Sequence, residues 1–257
     1  MNYPTNPFTQ AISQGRKQVG IWVSMASNVT AEVIASAGFD WAVVDMEHSP
    51  NSVPSVMSQL QVFAGYGTTA LVRPYWNDTV LVKRVLDIGA QGLVFPMVQS
   101  VEEAEAAVAA CRYPPRGVRG VAAATRATAF GRTTDYFQRV EEEMTIILQL
   151  ETQAAMAQAE EIAAVDGVSG VFFGPADIAA DMGHLGKPMA PEAWAAIRPV
   201  SKKLADKGVP VGTLVGDVGF AAELLNEEFT FVACGTDTGL LAKAADATVS
   251  KMRDLLG

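Results

Sequence analysis

The sequence predicts an α/β fold, one (β/α)₈ barrel spanning residues 1–257, and three observations carry that expectation. The chain has 257 residues, close to the roughly 250 that such a barrel needs. Eight short apolar or β-branched runs alternate with amphipathic stretches, the pattern of a parallel sheet with crossover helices. Several runs are apolar throughout, as strands covered on both faces must be. Eight repeats, rather than five or six, favour closure into a barrel over an open doubly wound sheet.

In chain order, Phe8–Gln14 reads as a short amphipathic lead-in that would plug the barrel floor. The expected strands are Val19–Met25, Trp41–Glu47, Thr69–Arg73, Gly92–Val98, Thr145–Glu151, Val168–Gly174, Pro210–Val215 and Phe229–Cys234. The expected helices are Thr30–Ala37, Ser52–Ala64, Asp78–Ile88, Val101–Cys111, Thr152–Ala164, Pro191–Lys207 and Gly239–Leu256. Ser52, Asp78 and Ser100 supply side-chain acceptors at helix starts. Gly38, Gly89 and Gly208 supply the residue that closes a helix in the left-handed region. One stretch is long and irregular: Arg112–Thr134, with Arg112, Arg116, Arg119, Arg126 and Arg132. Connections of that length are uncommon unless functional, so it is expected to fold over the barrel mouth or to reach a neighbouring subunit.

Composition narrows the function. Apolar residues make up 49% and charged residues 18% of the chain, ample for one large core. The formal net charge of −9 argues against nucleic-acid and anionic-membrane partners, which select clustered Lys and Arg. Cys111 and Cys234 are the only cysteines and form no Cys-x-x-Cys spacing. No apolar run approaches the ~20 residues of a bilayer span, and no leader pattern opens the chain. The expectation is a soluble cytoplasmic protein. No Gly-x-Gly-x-x-Gly or Walker pattern follows a strand, so nucleotide binding has no support.

Barrel active sites sit at the C-terminal ends of the strands, and that filter leaves few ionisable residues. Glu151 and Asp177 end adjacent strands, so their carboxylates can converge. Two oxygen ligands with positions left open suit Mg²⁺ or Mn²⁺ better than zinc. The competing reading is that both cap helices or pair with arginines. His48 sits beside Asp45 and Glu47; a carboxylate on one ring nitrogen frees the other for proton transfer. The two acids share strand parity, so local geometry decides which of them meets the ring. Arg73, held extended by Pro74, suits a carboxylate or a developing enolate oxygen, against a purely structural ion pair. Backbone N–H groups in the turn Gly174-Pro175-Ala176-Asp177 suit a substrate carboxylate. No lysine falls at an expected strand end, which removes Schiff-base chemistry and leaves a metal as electron sink. His184 reads as a surface loop residue, Cys234 as packing, and the methionines as core filler.

These residues in this order resemble the HpcH/HpaI aldolase family, nearly end to end. The match runs through Gly20-Ile21-Trp22, Asp45-Met46-Glu47-His48-Ser49-Pro50-Asn51, Val72-Arg73-Pro74, Pro96-Met97-Val98-Gln99, Arg112-Tyr113-Pro114-Pro115, Gln149-Leu150-Glu151-Thr152 and Gly174-Pro175-Ala176-Asp177. The resemblance implies a phosphoenolpyruvate/pyruvate-type barrel and class II aldolase chemistry: reversible cleavage of a 4-hydroxy-2-oxo acid to pyruvate or hydroxypyruvate and an aldehyde. Glu151 and Asp177 would hold Mg²⁺, Mn²⁺ or Co²⁺, and Gln149 would support that shell or the substrate. Arg73 would stabilise the enolate oxygen, and His48, oriented by Asp45, would move the proton. Asp87 would reach the site across a subunit boundary. Backbone at Gly174, Ala176 and Asp177 would cradle the carboxylate, while Trp22, Leu214 and Thr236 would line the pocket. The assembly implied is a hexamer, a trimer of dimers exchanging the last helix. The chain departs from the family pattern at Ala122–Gly131 and at Thr236, where an apolar residue is common; a hydroxyl there points toward hydroxypyruvate as donor. Two further readings stand beside this one. A CoA-thioester lyase wants a basic surface for the CoA phosphates, which only the loop arginines offer. A non-catalytic scaffold has no need of the strand-end set.

Overall fold

A computed structural model describes residues 2–256. Eight parallel strands close into a barrel in sequence order. They are β1 (Gln18–Val23), β2 (Trp41–Asp45), β3 (Thr69–Arg73), β4 (Gly92–Phe95), β5 (Thr145–Leu150), β6 (Gly170–Phe173), β7 (Val211–Leu214) and β8 (Phe231–Thr236). The helices are α1 (Pro7–Ser13), α2 (Asn28–Ala35), α3 (Val53–Phe63), α4 (Thr79–Asp87), α5 (Val101–Cys111), α6 (Tyr136–Arg139), α7 (Gln153–Ala157), α8 (Ala159–Ala163), α9 (Pro175–Asp181), α10 (Pro191–Asp206), α11 (Val218–Asn226) and α12 (Asp237–Leu256). Among the described residues no helix is long and apolar enough to cross a membrane.

The barrel interior is filled by large side chains facing small ones. Phe8 and Ile12 of α1 rise from the floor into a layer with Trp41 and Phe231, and above it lie Trp22, Phe172 and Leu214. Gly20 is required there: a Cβ would fall 2.1 Å from the Trp41 ring. The helices pack outside the strands on a second, larger apolar layer that includes Val44, Phe63, Val85, Phe95 and Ile197. The lead-in plugs the floor as expected. Asn6 caps α1, accepting from Phe8 N–H, while its amide donates to Thr145 Oγ1 at 3.0 Å and so ties the plug to β5.

Local chemistry explains the boundaries. Asp78 Oδ1 accepts from Leu81 N–H at 2.7 Å and Ser100 Oγ from Glu103 N–H at 3.3 Å, as the capping residues foretold. Gly89 closes α4 at φ +97°. Several elements depart from expectation, among them the short α6, where no helix is expected. The stretch 152–164 is broken into α7 and α8 at Gln158, whose backbone leaves helical values. α11, between β7 and β8, was not foreseen, although Asp217 caps it through Phe220 N–H. The loop 112–134 gives no residue to the mouth cavity of its own barrel, so of its two expected roles only contact with a neighbouring subunit stays open. Its arginines are held elsewhere: Arg112 by Asp166, Arg116 by Glu141, Arg119 by Asp87, and Arg126 by the Ile88 and Leu60 carbonyls.

Candidate active site

The mouth opens into a cavity of about 760 Å³ lined by Trp22, His48, Arg73, Gln149, Glu151, Gly174, Pro175, Ala176, Asp177, Leu214 and Thr236 among others. All the residues assigned to the site converge there except Asp45, which sits directly behind Arg73, and Asp87. Strand register brings them together. Asp45 of β2 pairs with Arg73 of β3, and Trp22 of β1 with Thr236 of β8.

Arg73 is buried and held on three sides. Its Nε and Nη2 donate to the two oxygens of Asp45 at 2.7 and 2.8 Å, a bidentate pair, and Nη1 lies 2.9 Å from Glu47 Oε2. The guanidinium carbon stands 5.3 Å from the Trp22 ring centroid. Clamped in this way, the guanidinium presents its remaining N–H groups in a fixed direction.

Glu151 is 3% exposed and follows β5 directly. Its Oε2 accepts from Met97 N–H at 2.8 Å, and Met97 holds the left-handed φ of 52° that delivers this N–H. Gln149 Nε2 donates to Oε1, leaving Gln149 Oε1 buried with no protein partner. Gly174 leaves room for the carboxylate, since a Cβ there would fall 2.6 Å from Glu151 Oε1. Burial, then the charges of Asp177 and Glu47, push the Glu151 carboxyl up to about 7. Among the described residues no cation lies within ion-pair distance of it, and Arg73 acts on it only through space.

That environment fits a divalent cation. A buried carboxylate lacking a cationic partner, a second acid (Asp177) on the same cavity wall, and an orphaned amide oxygen at Gln149 form a hard-oxygen donor set. Among the described residues no group of three or more His, Cys, Asp or Glu that could hold a metal ion is present.

The turn after β6 supplies less than expected at one position. Gly174 N–H is committed to Leu150 O at 3.1 Å, inside the barrel ladder. Pro175 has no N–H, so the free donors are Ala176 and Asp177, in the first turn of α9 where intrahelical partners are lacking. Thr236 lines the cavity, but its hydroxyl accepts from Gly239 N–H at 2.9 Å and caps α12.

One placement differs from the family-derived roles, and one residue assigned to a neighbour's site lies outside its own cavity. Asp45 gives both oxygens to Arg73, and the acid beside the His48 ring is Glu47, at 4.0 Å. Asp87 is absent from the cavity lining of its own barrel and is bound by Arg119 at 3.0 Å. The structure also adds residues. Met189, half-exposed and not core filler, lines the cavity with Pro188, Val218, Leu240 and Lys243. These lie on loops and helix starts beyond the strand ends, where no strand pattern marks them. Cys234 is also in the lining. His184 lies outside it, 3.8 Å from Glu192.

A closed parallel barrel with acids, a guanidinium and an imidazole at its strand ends has the layout of a barrel enzyme. Comparison with known proteins gives the family. Residues 18–244 match the family described as HpcH/HpaI aldolase/citrate lyase. The chain is similar to a pyruvate aldolase of Rhizobium etli, 48% identical over 251 residues, covering 98% of this chain and 99% of that one. It is similar to a 4-hydroxy-2-oxo-heptane-1,7-dioate aldolase of Klebsiella pneumoniae, 46% identical over 247 residues, covering 96% and 93%. An HpcH/HpaI aldolase/citrate lyase family protein from Burkholderia cenocepacia, of known crystal structure, superposes with TM-score 0.93 at 36% identity, covering 97% of this chain and 100% of that one. The chain belongs to the HpcH/HpaI aldolase/citrate lyase family and is a carbon–carbon lyase, a class II aldolase.

Proposed function

We propose that this aldolase reversibly cleaves 4-hydroxy-2-oxo acids to pyruvate and an aldehyde, with a divalent cation held by Glu151 and Asp177. The observation that carries the reading is the buried Glu151, without an ion-pair partner among the described residues, facing the same cavity as Arg73 and His48. Mg²⁺, Mn²⁺ or Co²⁺, when bound, supplies a Lewis acid that polarises the 2-oxo group and orients the acid. Gln149 steadies Glu151 from the side. The N–H groups of Ala176 and Asp177 face the substrate carboxylate.

In cleavage, His48 takes the proton of the C4 hydroxyl. The C3–C4 bond breaks, the aldehyde departs, and the bonding pair enters the enolate of pyruvate. Its oxygen charge develops toward Arg73, which is already oriented and loses no freedom in responding. C3 then accepts a proton, the one His48 took closing the balance as the ring returns to its neutral form, and pyruvate leaves. The aldehyde end faces Met189, Leu214, Val218 and Leu240, an apolar wall suited to an aliphatic chain.

The same reading includes an oligomer. His48 has a side chain 70% exposed in the single chain, which a proton-transfer group gains from having covered. Asp87, outside its own cavity and paired with Arg119, would serve the site of a neighbouring copy. The 20-residue α12 buries only Asp237 and exposes Leu240, Leu241, Val249, Met252, Leu255 and Leu256, an apolar surface that fits exchange between copies in a hexamer. Two free thiols and the acidic balance suit the cytoplasm.

The test is pyruvate release from 4-hydroxy-2-oxo acids after treatment with EDTA, followed by Mg²⁺ or Mn²⁺ add-back. Release that stops with chelator and returns with metal is the expected outcome. Full turnover in EDTA would overturn the metal assignment.

A further inference from the structure

We infer that the floor side of the barrel carries a second binding site, which takes an apolar monocarboxylic acid against Arg126. A cavity of about 840 Å³ lies there, between the N-terminal segment, the end of α3, the approaches to β3 and β4, and the loop 126–133. It shares no lining residue with the mouth cavity. The site stands apart from the aldolase chemistry and does not depend on it.

Arg126 supplies the charge. Arg112, Arg116 and Arg119 of the same long loop each meet an acid. Arg126, half-buried, meets none among the described residues: Nη1 donates to Ile88 O at 2.7 Å and Nη2 to Leu60 O at 3.3 Å. Those carbonyls hold the guanidinium still at the ends of α4 and α3, but neither carries a formal charge. Burial lowers the Arg126 pKa, and no carboxylate acts to raise it. A half-buried cation in that condition favours an anion taken from solution. The backbone makes way for it as well, since a Cβ at Gly89 would fall 2.5 Å from Nη1.

The walls set the rest of the ligand. Leu60, Phe63, Tyr66, Ala70 and Phe130 give the cavity an apolar, largely aromatic lining. Phe130 is held there at a cost: it and Ala129 both take left-handed backbone, φ 57° and 49°, which side chains disfavour. Buried Thr128 enforces that turn, its hydroxyl donating to Ala123 O at 2.9 Å and accepting from Thr125 N–H at 3.2 Å and Gly131 N–H at 3.1 Å. Strained backbone over-determined in this way collects at ligand sites. Arg132 also lines the cavity, but it is exposed and donates to Ala129 O at 3.2 Å. Water screens it, so Arg126 is the stronger anchor. One sheltered positive charge beside aromatic walls matches a carboxylate on a ring or an alkyl chain.

The test is titration of the full-length, metal-loaded protein with phenylacetate, followed by calorimetry and by ligand-observed NMR. Phenylacetate should bind, and phenylacetamide, the same shape without the charge, should bind about tenfold more weakly. Arg126→Gln can still donate to a carbonyl but carries no charge, and should lower phenylacetate affinity about tenfold. Phe130→Ala removes a mostly exposed ring and should lower it about threefold. Arg73→Lys, at the mouth, should leave it within about twofold, since the two cavities are separate. If circular dichroism shows the Gln variant unfolded, Phe130→Ala and the amide decide between them. No binding, equal affinity for acid and amide, or an affinity that falls with Arg73→Lys and holds in both floor variants overturns the proposal.

Discussion

Strand β5 begins and ends beside a buried glutamate, and the two are treated in opposite ways. Glu143, before the strand on the barrel floor, accepts from Asn6 N–H at 2.7 Å and from Arg139 Nη2 at 2.6 Å. Glu151, after the strand at the mouth, accepts from a strained backbone N–H and an amide and faces two other carboxylates, with no ion-pair partner among the described residues. Burial is similar, 6% against 3% exposed. The floor acid is neutralised for stability; the mouth acid is left in need of a positive charge, the condition that selects an external cation.

The comparison breaks most visibly in a pair of Gln variants. Glu151→Gln should lower kcat about 1,000-fold, the loss of several kcal/mol of transition-state stabilisation, measured in the metal-loaded cleavage assay. Glu143→Gln should leave kcat nearly intact and lower unfolding stability by about 1–3 kcal/mol in urea melts. The metal-free parent should also show a pH signature. Glu151 is raised in the folded state, from 4.5 to about 7. Its contribution is therefore fully present below about 4.5 and is lost as pH rises through about 7, a fall of roughly 3 kcal/mol. Melts of EDTA-treated protein between pH 4.5 and 8 should follow that slope, and Glu151→Gln should flatten it. An unchanged slope in the variant would assign the pH dependence to another group.

Smaller effects sharpen the contrast at the mouth. Arg73→Lys keeps a charge but cannot be gripped by Asp45 and Glu47 together, and should lower kcat about 100-fold. Gly174→Ala places a methyl group 2.6 Å from Glu151 Oε1. Titration of metal affinity should show about a tenfold loss, with the barrel still folded by circular dichroism. Equal affinity in the Ala variant would mean that Glu151 does not approach the metal from this side.

Most of this architecture was legible in the sequence, because its signals are local. Continuous apolar runs gave β2, β5 and β6 within two or three residues, and Asp78 and Ser100 marked helix starts by side-chain chemistry. Strand-end position picked out His48, Arg73, Glu151 and Asp177 without any coordinates. What stayed hidden depends on contacts between distant segments. No periodicity reveals that Met97 must adopt a left-handed backbone to serve Glu151, fifty-odd residues on. Asp45 and Glu47 share strand parity, so only the β2–β3 register shows which acid Arg73 occupies completely. Arg119 reads as a loop cation, yet it is buried against Tyr113 and Tyr136 with Asp87 as its acid, which is why its loop runs along the barrel wall and not over the mouth.

The smallest effect concerns donor choice at Thr236. A hydroxyl in this position points toward a polar donor, but the lone pair facing Gly239 N–H is already used to cap α12, and Thr238 Oγ1 at 3.0 Å competes for its proton. Thr236→Val should therefore act first on the helix start, costing about 1 kcal/mol of stability. The ratio of hydroxypyruvate to pyruvate turnover should shift by no more than about threefold, the scale of an exposed hydrogen bond that water can replace. Competition of the two donors for one aldehyde, followed by product ratio, measures this directly. A tenfold swing toward pyruvate would show that the hydroxyl leaves its cap to meet the donor, and would make Thr236, beside Trp22 in the barrel register, the residue that sets donor preference.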